Sequence, residues 1–333
     1  MRYIISLILC ATLLSCTEKP GLTVLRGEAL GTGYQIQFYT SEEFSVQQKF
    51  DSVIEAINQS MSTYRSSSDI SRINHGDTTV VVDDMFKEVL QLSREVYKET
   101  DGYYDPTVGV LVNAYGFGPE KPLKQLDSVT LDSLKTYVGL NKIQITPAGT
   151  ISKDQGGVYL DFNSIAKGYS IDRVGAMLEN NGVKNYLIEL GGELLAKGIN
   201  LDKEKPWAVG IENIYAPVED RDYTQVVNLK DKGMAGSGNY RKFRVDSISG
   251  KRFVHTINPI SGKAERSDVL SATVLANTCA EADAYATAFM ALGLKKSQVV
   301  LSKLKNVDAY LMYAQHDSTA VFVSEGFKKY LED

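Results

Sequence analysis

The strand-like segments of this chain are not regularly separated by helices, and this limits the folds it can adopt. Five consecutive runs between residues 207 and 277 have strand character: WAVGIEN, YTQVVNL, RKFRVDS, FVHTIN and DVLSATVLAN. Clear helical spacing lies elsewhere, in SVQQKFDSVIEAINQSM and DDMFKEVLQLSREVYKETDG. Because strand-rich runs and helices cluster apart, the sequence predicts an α+β fold rather than a doubly wound sheet.

One strand, helix, strand unit is predicted in the middle of the chain. The strand GVYLDF leads to a helix, NSIAKGYSIDRVGAMLENNG, which ends at Gly182, and the strand NYLIELGG follows. The length of 333 residues gives an ample core and fits one large domain or two. We expect a smaller lobe at about residues 60–150.

The N-terminus has the form of a secretory signal. The segment MRYIISLILCATLLSC carries one arginine and then an apolar run that ends in LLSC. This ending resembles a bacterial lipobox, so we expect residues 1–15 to be removed and Cys16 to be lipidated. Residues 16–25 would then form a tether and residues 26–333 the working domain. A plain signal peptide with an incidental cysteine is the alternative.

Charge and cysteine content argue against two further classes of protein. The chain has 41 acidic and 36 basic residues and a formal net charge of −5, without a basic run, which argues against nucleic acid as a partner. Cys10 would be removed with the signal and Cys16 lipidated, so no disulfide framework is expected. Cys279 is predicted to be a packed small residue rather than a nucleophile.

The segment TCAEADAYATAF carries oxygen atoms on an alanine-rich helix. Thr278, followed three residues later by Glu281, is a capping-box pattern, so the helix is predicted to begin there. Asp283 and Thr287 are four positions apart and would project from one face, as two oxygen ligands for a hard cation such as magnesium. Alternatively, the aspartate only favours the helix dipole and the threonine bonds back to a carbonyl.

The segment LDFNSIAKGYSID has the features of a phosphate site. Asp161 stands at the end of the predicted strand, and Asn163 or Ser164 is a candidate cap for the helix that follows. Backbone amides at the helix start and Lys167 in its first turn would bind a phosphate, and Gly168 would permit a close approach. An ordinary cap followed by a solvated lysine is the alternative.

Aromatic residues and one histidine are the remaining candidates. In ETDGYYDPTVG, Tyr103 and Tyr104 precede Asp105, and such aromatics either cover a flat ring or belong to the core. Tyr64, among the small polar residues of MSTYRSSSDISRIN, is predicted to be partly exposed. His255, on the predicted strand FVHTIN, is the best general-base candidate, and a packed or surface histidine is the alternative.

Eight segments taken together are more specific than any one of them: LGTGYQI, STYRSSSDISRIN, DGYYDPTVG, LDFNSIAKGYSID, LIELGGELLAKG, AGSGNYRKF, HTINPISGK and EADAYAT. In this order, from Gly31 to the C-terminal region, they resemble the ApbE family, the FAD:protein FMN transferases. The resemblance implies an α+β protein related to the T-fold, with FAD between two lobes and magnesium at the FAD diphosphate. It implies that Asp283, Thr287 and the carbonyl of Ser164 are metal ligands.

The resemblance also implies residues for FAD binding and for catalysis. It implies that Lys167 contacts FAD and assists at the diphosphate, and that His255 takes the proton of an attacking hydroxyl. The other positions that match FAD contacts of the family are Leu30, Tyr64, Tyr103, Tyr104, Asp105, Asp161 and Ile257.

The implied activity is the Mg²⁺-dependent transfer of FMN from FAD to a threonine or serine hydroxyl of a target flavoprotein, with release of AMP. Expected acceptors are subunits of membrane redox complexes, such as Na⁺-translocating NADH:quinone reductase or Rnf-type complexes. The lipid anchor would hold the enzyme on a bacterial membrane, facing the periplasm. A periplasmic FAD diphosphatase, which would use water instead of the hydroxyl, and an FAD-binding or purely structural lipoprotein are the alternatives.

Overall fold

The structure is a computed structural model that describes residues 20–123, 126–216, 222–239, 243–245 and 252–332. Cys16 and the predicted signal segment lie outside the described residues. Within the described ranges, each helix is too short or too polar to cross a membrane.

An eight-stranded antiparallel sheet forms the centre of the molecule. The strands of the described ranges are β1 (Gly21–Ala29), β2 (Thr32–Thr40), β3 (Ile143–Ile145), β4 (Ile151–Lys153), β5 (Tyr186–Leu190), β6 (Glu193–Lys197), β7 (Trp207–Glu212), β8 (Tyr223–Leu229), β9 (Lys232–Gly238), β10 (Phe243–Val245), β11 (Arg252–Val254), β12 (Val269–Ala276), β13 (Asp308–Gln315) and β14 (Ser318–Val323). The order in the large sheet is β1-β2-β5-β6-β9-β12-β13-β14. The pairs β3–β4, β7–β8 and β10–β11 stand outside it.

Helices pack on this sheet and confirm the α+β prediction. They are α1 (Val46–Met61), α2 (Asp69–Asn74), α3 (Asp84–Glu99), α4 (Gly109–Tyr115), α5 (Ser128–Lys135), α6 (Ala166–Asn180), α7 (Cys279–Leu292), α8 (Leu294–Leu301) and α9 (Glu325–Lys328), with a short 3₁₀ turn at Leu140–Lys142. The helix α7 begins where the capping-box pattern predicts, with Thr278 as its N-cap.

The two faces of the large sheet are covered by different elements. Successive residues of a strand point to opposite faces. In β5, Ile188 packs in one apolar cluster with Val174 of α6, whereas its neighbour Leu187 packs in another with Trp207 of β7. One face of the sheet is therefore covered by α6 and the helices beside it, and the other by the β7–β8 hairpin.

The predicted smaller lobe, at about residues 60–150, contains α2 to α5 and the strand β3. Phe86 and Leu90 of α3 belong to the same core cluster as Ala282 and Phe289 of α7. The apolar interior of this segment is therefore continuous with the helical layer of the sheet.

Two tight turns lie side by side at one end of the sheet. Leu30 and Gly31 connect β1 to β2 with φ angles of 51° and 75°, and Gly191 and Gly192 connect β5 to β6 with φ angles of 63° and 99°. Both are two-residue hairpin turns in the left-handed region, which glycine adopts easily and leucine does not. The Gly191 N–H donates to the Gly33 carbonyl at 3.0 Å, which holds the two turns together.

The prediction that GVYLDF is a strand is wrong. Within this segment Tyr159 forms an isolated bridge with Val108. The backbone of Leu160, the next residue, is hydrogen-bonded to the side chain of Asn74. Asn74 Nδ2 donates to the Leu160 carbonyl, and the Leu160 N–H donates to Asn74 Oδ1, both at 2.8 Å. The predicted strand, helix, strand unit does not form, and β5 instead pairs antiparallel with β2 and β6.

Two boundaries also differ from the prediction. The strand β1 begins at Gly21 and pairs with β2, so the second half of the tether predicted for residues 16–25 belongs to the sheet. Most side chains of β1 are exposed because it is an edge strand, and its sequence therefore lacks a clear buried face. The strand β11 ends at Val254, so His255 follows the strand rather than belonging to it.

Candidate functional site

The backbones of α6 and α7 touch at Gly168. A Cβ atom on Gly168 would lie 2.4 Å from the Cys279 carbonyl oxygen, and one on Gly233 of β9 would lie 2.4 Å from the Cys279 nitrogen. The first turn of α7 therefore fits between α6 and β9 only because both positions are glycine. The close approach that Gly168 permits is therefore that of the α7 backbone, whereas the sequence analysis assigned it to a phosphate.

The N-terminus of α7 is held by side chains from two helices. Thr278 and Glu281 form the predicted capping box, in which each side chain accepts a hydrogen bond from the other's N–H at 3.2 Å. Asp172 of α6 accepts from the Cys279 and Ala280 N–H groups, both at 2.8 Å. These bonds satisfy the first amides of α7 and fix its position against α6. Burial raises the pKa of Asp172 to about 7.

Asp283 lies buried at this helix crossing, one turn into α7. Its Oδ2 accepts a hydrogen bond from the Gly168 N–H at 3.1 Å. This amide would otherwise bond to the carbonyl of Ser164, four residues earlier in the chain. Among the backbone hydrogen bonds of the described residues, none ends at the Ser164 carbonyl, which leaves that oxygen available to a ligand.

The predicted metal ligands form a set of oxygen atoms suited to a hard cation. Asp283 supplies a carboxylate, and Ser164 supplies a carbonyl that no backbone amide of the described residues uses. Thr287 is partly exposed and follows Asp283 by four residues on the same helix. Because magnesium prefers a few protein oxygens and completes its shell with water and phosphate, these residues fit it. The described residues hold no cluster of three His, Cys, Asp or Glu side chains placed to bind a metal.

Lys167 connects this set to the large sheet. Its Nζ donates to Glu193 Oε1 at the start of β6, and Glu193 is almost completely buried. Burial lowers the pKa of Lys167, but the negative charges of Glu193 and Asp283 outweigh burial and hold it above its ordinary value. Burial raises the pKa of Glu193 and of Asp283, against the opposing charge of Lys167. The two buried carboxyl groups thus lie close to one ammonium, and the Lys167 side chain that carries it is one-third exposed.

Asp105 and Asp161 each organise their own loop. Asp105 Oδ1 accepts from Thr107 N–H at 2.8 Å and from Thr107 Oγ1 at 2.6 Å, and Asp161 Oδ1 accepts from Asn163 N–H at 2.8 Å. The Asp161 N–H donates to the carbonyl of Pro106 at 2.8 Å, which joins the two loops. Burial raises the pKa of both carboxyl groups to about 6.

The tyrosines of the predicted flavin site lie in three different environments. Tyr104 is buried, and its hydroxyl lies 3.4 Å from the hydroxyl groups of Ser93 and Ser164. Tyr103 is partly exposed and lies under Lys296 Nζ, which is 4.3 Å from the ring centre. Tyr64 is 66% exposed, as the sequence predicts, and partial burial and the charge of Asp161 raise its pKa. Tyr104 is therefore a core residue, whereas the rings of Tyr64 and Tyr103 are accessible.

The last three predicted residues lie on other elements of the structure. Leu30 occupies the β1–β2 turn and is partly buried. Ile257 is buried in a small cluster with Leu111 and Tyr115 of α4, and His255 is partly exposed just after β11. The structure thus brings Lys167, Ser164, Tyr104 and Asp283 together.

Similarity to known proteins covers nearly the whole chain. The model of the ApbE family matches residues 30–311, and the FAD:protein FMN transferase of Haemophilus influenzae is 34% identical over 99% of this chain and 97% of its own length. This chain belongs to the ApbE family. The FAD:protein FMN transferase of Vibrio cholerae is 32% identical over 96% of both chains. The solved flavin transferase ApbE from Vibrio cholerae superimposes with a TM-score of 0.82 and 30% identity, over 94% of this chain and 100% of that one.

Membership of the ApbE family confirms the resemblance found in the sequence, whereas the individual residue assignments stay predictions. The sequence analysis did not identify two residues at or beside the helix crossing, Asp172 of α6 and Glu193 of β6. The sequence held a weak indication of Glu193, because this charged residue points to the same face of its strand as the apolar Leu195. The sequence held no indication of the role of Asp172, because its hydrogen-bond partner Cys279 is 107 residues away.

Proposed function

We propose that this protein transfers the FMN half of FAD to a threonine or serine hydroxyl of a target flavoprotein. The hydroxyl oxygen would form a bond to the FMN-side phosphorus, the bond from that phosphorus to the bridging oxygen would break, and AMP would leave. The observation that carries this proposal is the buried Asp283, held by the Gly168 amide beside Lys167, in a chain similar to FAD:protein FMN transferases over nearly its full length.

We propose that Asp283, Thr287 and the Ser164 carbonyl hold the Mg²⁺ ion on which this activity depends. When bound, Mg²⁺ would neutralise charge on the diphosphate and on the AMP leaving group. The Gly168 amide keeps the Asp283 carboxylate in one orientation before any ligand arrives. Lys167, in the first turn of α6, would bind a diphosphate oxygen.

The flavin would be bound by the accessible aromatic residues and the loops beside them. Tyr64 and Tyr103 offer rings for contact, and the two loops that Asp105 and Asp161 organise offer backbone groups. Tyr104 acts from the core, through its hydroxyl contact with Ser164. Leu30 and Ile257 would add apolar contacts at the two edges of this surface.

His255 would take the proton of the attacking hydroxyl. A base that removes this proton as the oxygen–phosphorus bond forms typically accelerates a reaction about 10²- to 10⁴-fold. The position of His255, partly exposed just after β11, suits a group that must meet a protein substrate.

The place of action is part of the same proposal. Lipidation of Cys16 would anchor the enzyme on a bacterial membrane with the domain in the periplasm. Its acceptors would then be flavoprotein subunits of membrane redox complexes, such as Na⁺-translocating NADH:quinone reductase or Rnf-type complexes.

Intact-mass measurement of an acceptor tests the transfer. The acceptor subunit is incubated with the enzyme, FAD and Mg²⁺, and we expect a gain equal to FMN minus one water, with AMP in equal amount. A parallel reaction without acceptor measures FMN release. AMP formed together with free FMN, at the same rate with and without acceptor, would instead identify an FAD diphosphatase.

A further inference from the structure

Glu193 is a buried carboxylate with one oxygen unused. It follows the Gly191–Gly192 turn and pairs with Leu190, so it points to the same face of the sheet as α6. The residue is 3% exposed, and Oε1 accepts from Lys167 Nζ. Oε2 has no hydrogen-bond partner in the part of the chain that the structure describes.

An unused carboxylate oxygen is costly at such a position. A buried acceptor without a partner destabilises a fold, and it does so more when it is charged. Lys167 compensates one carboxylate, but Asp283 is close enough for its charge to act on both Lys167 and Glu193. This cluster therefore contains two carboxyl groups but one ammonium, and it has a free acceptor, which together favour a bound cation.

We propose that Glu193 is a positioning residue of the cation site, with Oε1 holding Lys167 and Oε2 accepting a hydrogen bond from a water molecule on the cation. The inference rests on the proposed Mg²⁺ site at Asp283, Thr287 and Ser164. Magnesium gives up its waters reluctantly, and a site with few protein ligands leaves several of them bound. Groups that accept from such waters orient the ligand shell without touching the metal.

A plain ion pair between Lys167 and Glu193 is the competing explanation. In that case Glu193 would only neutralise the lysine, and its loss would change the stability of the protein without changing its affinity for a cation. Stability and cation affinity must therefore be measured separately, on the whole protein.

Binding of Mn²⁺, an oxygen-preferring stand-in for Mg²⁺, separates the two explanations. The loss of the free-ion EPR signal on titration gives its Kd, with and without saturating FAD. For Glu193→Gln, which keeps the shape and the acceptor for Lys167, we expect the Kd to rise about 10- to 100-fold. The control is Glu189→Gln on the same hairpin, whose carboxylate accepts from the Gly192 N–H; its Kd should not change.

Glu193→Asp tests whether reach matters in addition to charge. It keeps the negative charge but shortens the side chain by one methylene, so Oε2 can no longer reach the same water. We expect weaker Mn²⁺ binding in this variant too. Affinity equal to that of the wild type in either Glu193→Gln or Glu193→Asp would overturn the proposal.

If Glu193→Gln alone does not fold, the same substitution can be tested in a protein that already carries Lys167→Met. Lys167→Met removes the ammonium, so that Glu193→Gln added to it leaves no unpaired lysine. We expect the double variant to bind Mn²⁺ about tenfold or more weakly than Lys167→Met alone. Equal affinities of these two variants would mean that Glu193 serves only Lys167. Failure of the wild type to bind Mn²⁺ would instead count against the cation site itself.

Discussion

The helix crossing at Gly168 and three other predicted site residues, Tyr64, Tyr103 and His255, differ in how firmly they are held. At the crossing, two glycines bring the Cys279 backbone against α6 and β9, and Asp172 ties α7 down through two amides. The other three residues, which we call the open side, have side chains that are partly or largely exposed.

The difference matches what each side must do in the proposed reaction. Electrostatic stabilisation works best when charged groups are already oriented, because reorienting them during the reaction costs free energy. The crossing provides such fixed groups in Asp283 and Lys167. The open side must admit a flavin ring and then the surface of another protein, and so accessible side chains are suited to it. Four substitutions test this division, in order of decreasing expected effect.

Asp283→Asn should have the largest effect. The amide oxygen can still accept from the Gly168 N–H, so the fold should be kept, whereas the charge that holds a cation is lost. A metal ion contributes several kcal/mol to such a reaction, so we expect transfer to slow by about 10³-fold or more. The rate is measured by acceptor mass over a range of Mg²⁺ concentrations. Wild-type activity of the variant at limiting Mg²⁺ would show that the crossing does not bind the cation.

Gly168→Ala should have the next largest effect, on stability. Within a helix this change normally stabilises by about 1 kcal/mol. Here the new methyl group would lie 2.4 Å from the Cys279 carbonyl, so we expect a loss of about 3 kcal/mol in the free energy of unfolding. Urea denaturation measures it, with Gly156→Ala as control because nothing lies within 4 Å of a Cβ there. A gain in stability for Gly168→Ala would mean that the helices are free to separate.

The sequence predicts the crossing only in part. The start of α7 was predicted correctly because its signal is local: Thr278 and Glu281 are three residues apart and cap the same helix. Asp172 and Glu193 were missed because each acts on a distant segment, and only the fold brings the partners together. Local chemistry can therefore be predicted from the sequence, whereas contacts between segments distant in the chain cannot.

The same limit explains the error at GVYLDF. Val158, Leu160 and Phe162 are all buried, so the alternation that indicates a strand is real. The hydrogen bonds that would make it a strand go instead to the Asn74 side chain, 86 residues earlier. A buried face determines which residues point inward, but it does not determine which group satisfies the backbone.

His255→Ala should have an intermediate effect, confined to the chemical step. If His255 accepts the hydroxyl proton, transfer at saturating FAD and acceptor should slow by about 10²-fold while FAD affinity stays unchanged. Single-turnover rates and FAD titration separate these quantities. Loss of FAD affinity with a normal chemical step would place His255 among the flavin contacts. A normal FAD affinity together with a normal transfer rate would show that His255 has no role in either.

Tyr64→Ala should have the smallest effect, and it tests whether the open side contributes to the stability of the fold. The side chain is 66% exposed, so the melting temperature without FAD should not change, in contrast to Gly168→Ala. A ring contact is worth about 0.5–1.5 kcal/mol, so FAD affinity should fall about fivefold. Tyr64→Phe keeps the ring and should bind as the wild type does, measured by quenching of flavin fluorescence. An equal loss in both variants would assign the contact to the hydroxyl, whereas a lower melting temperature for Tyr64→Ala would show that the open side also supports the fold.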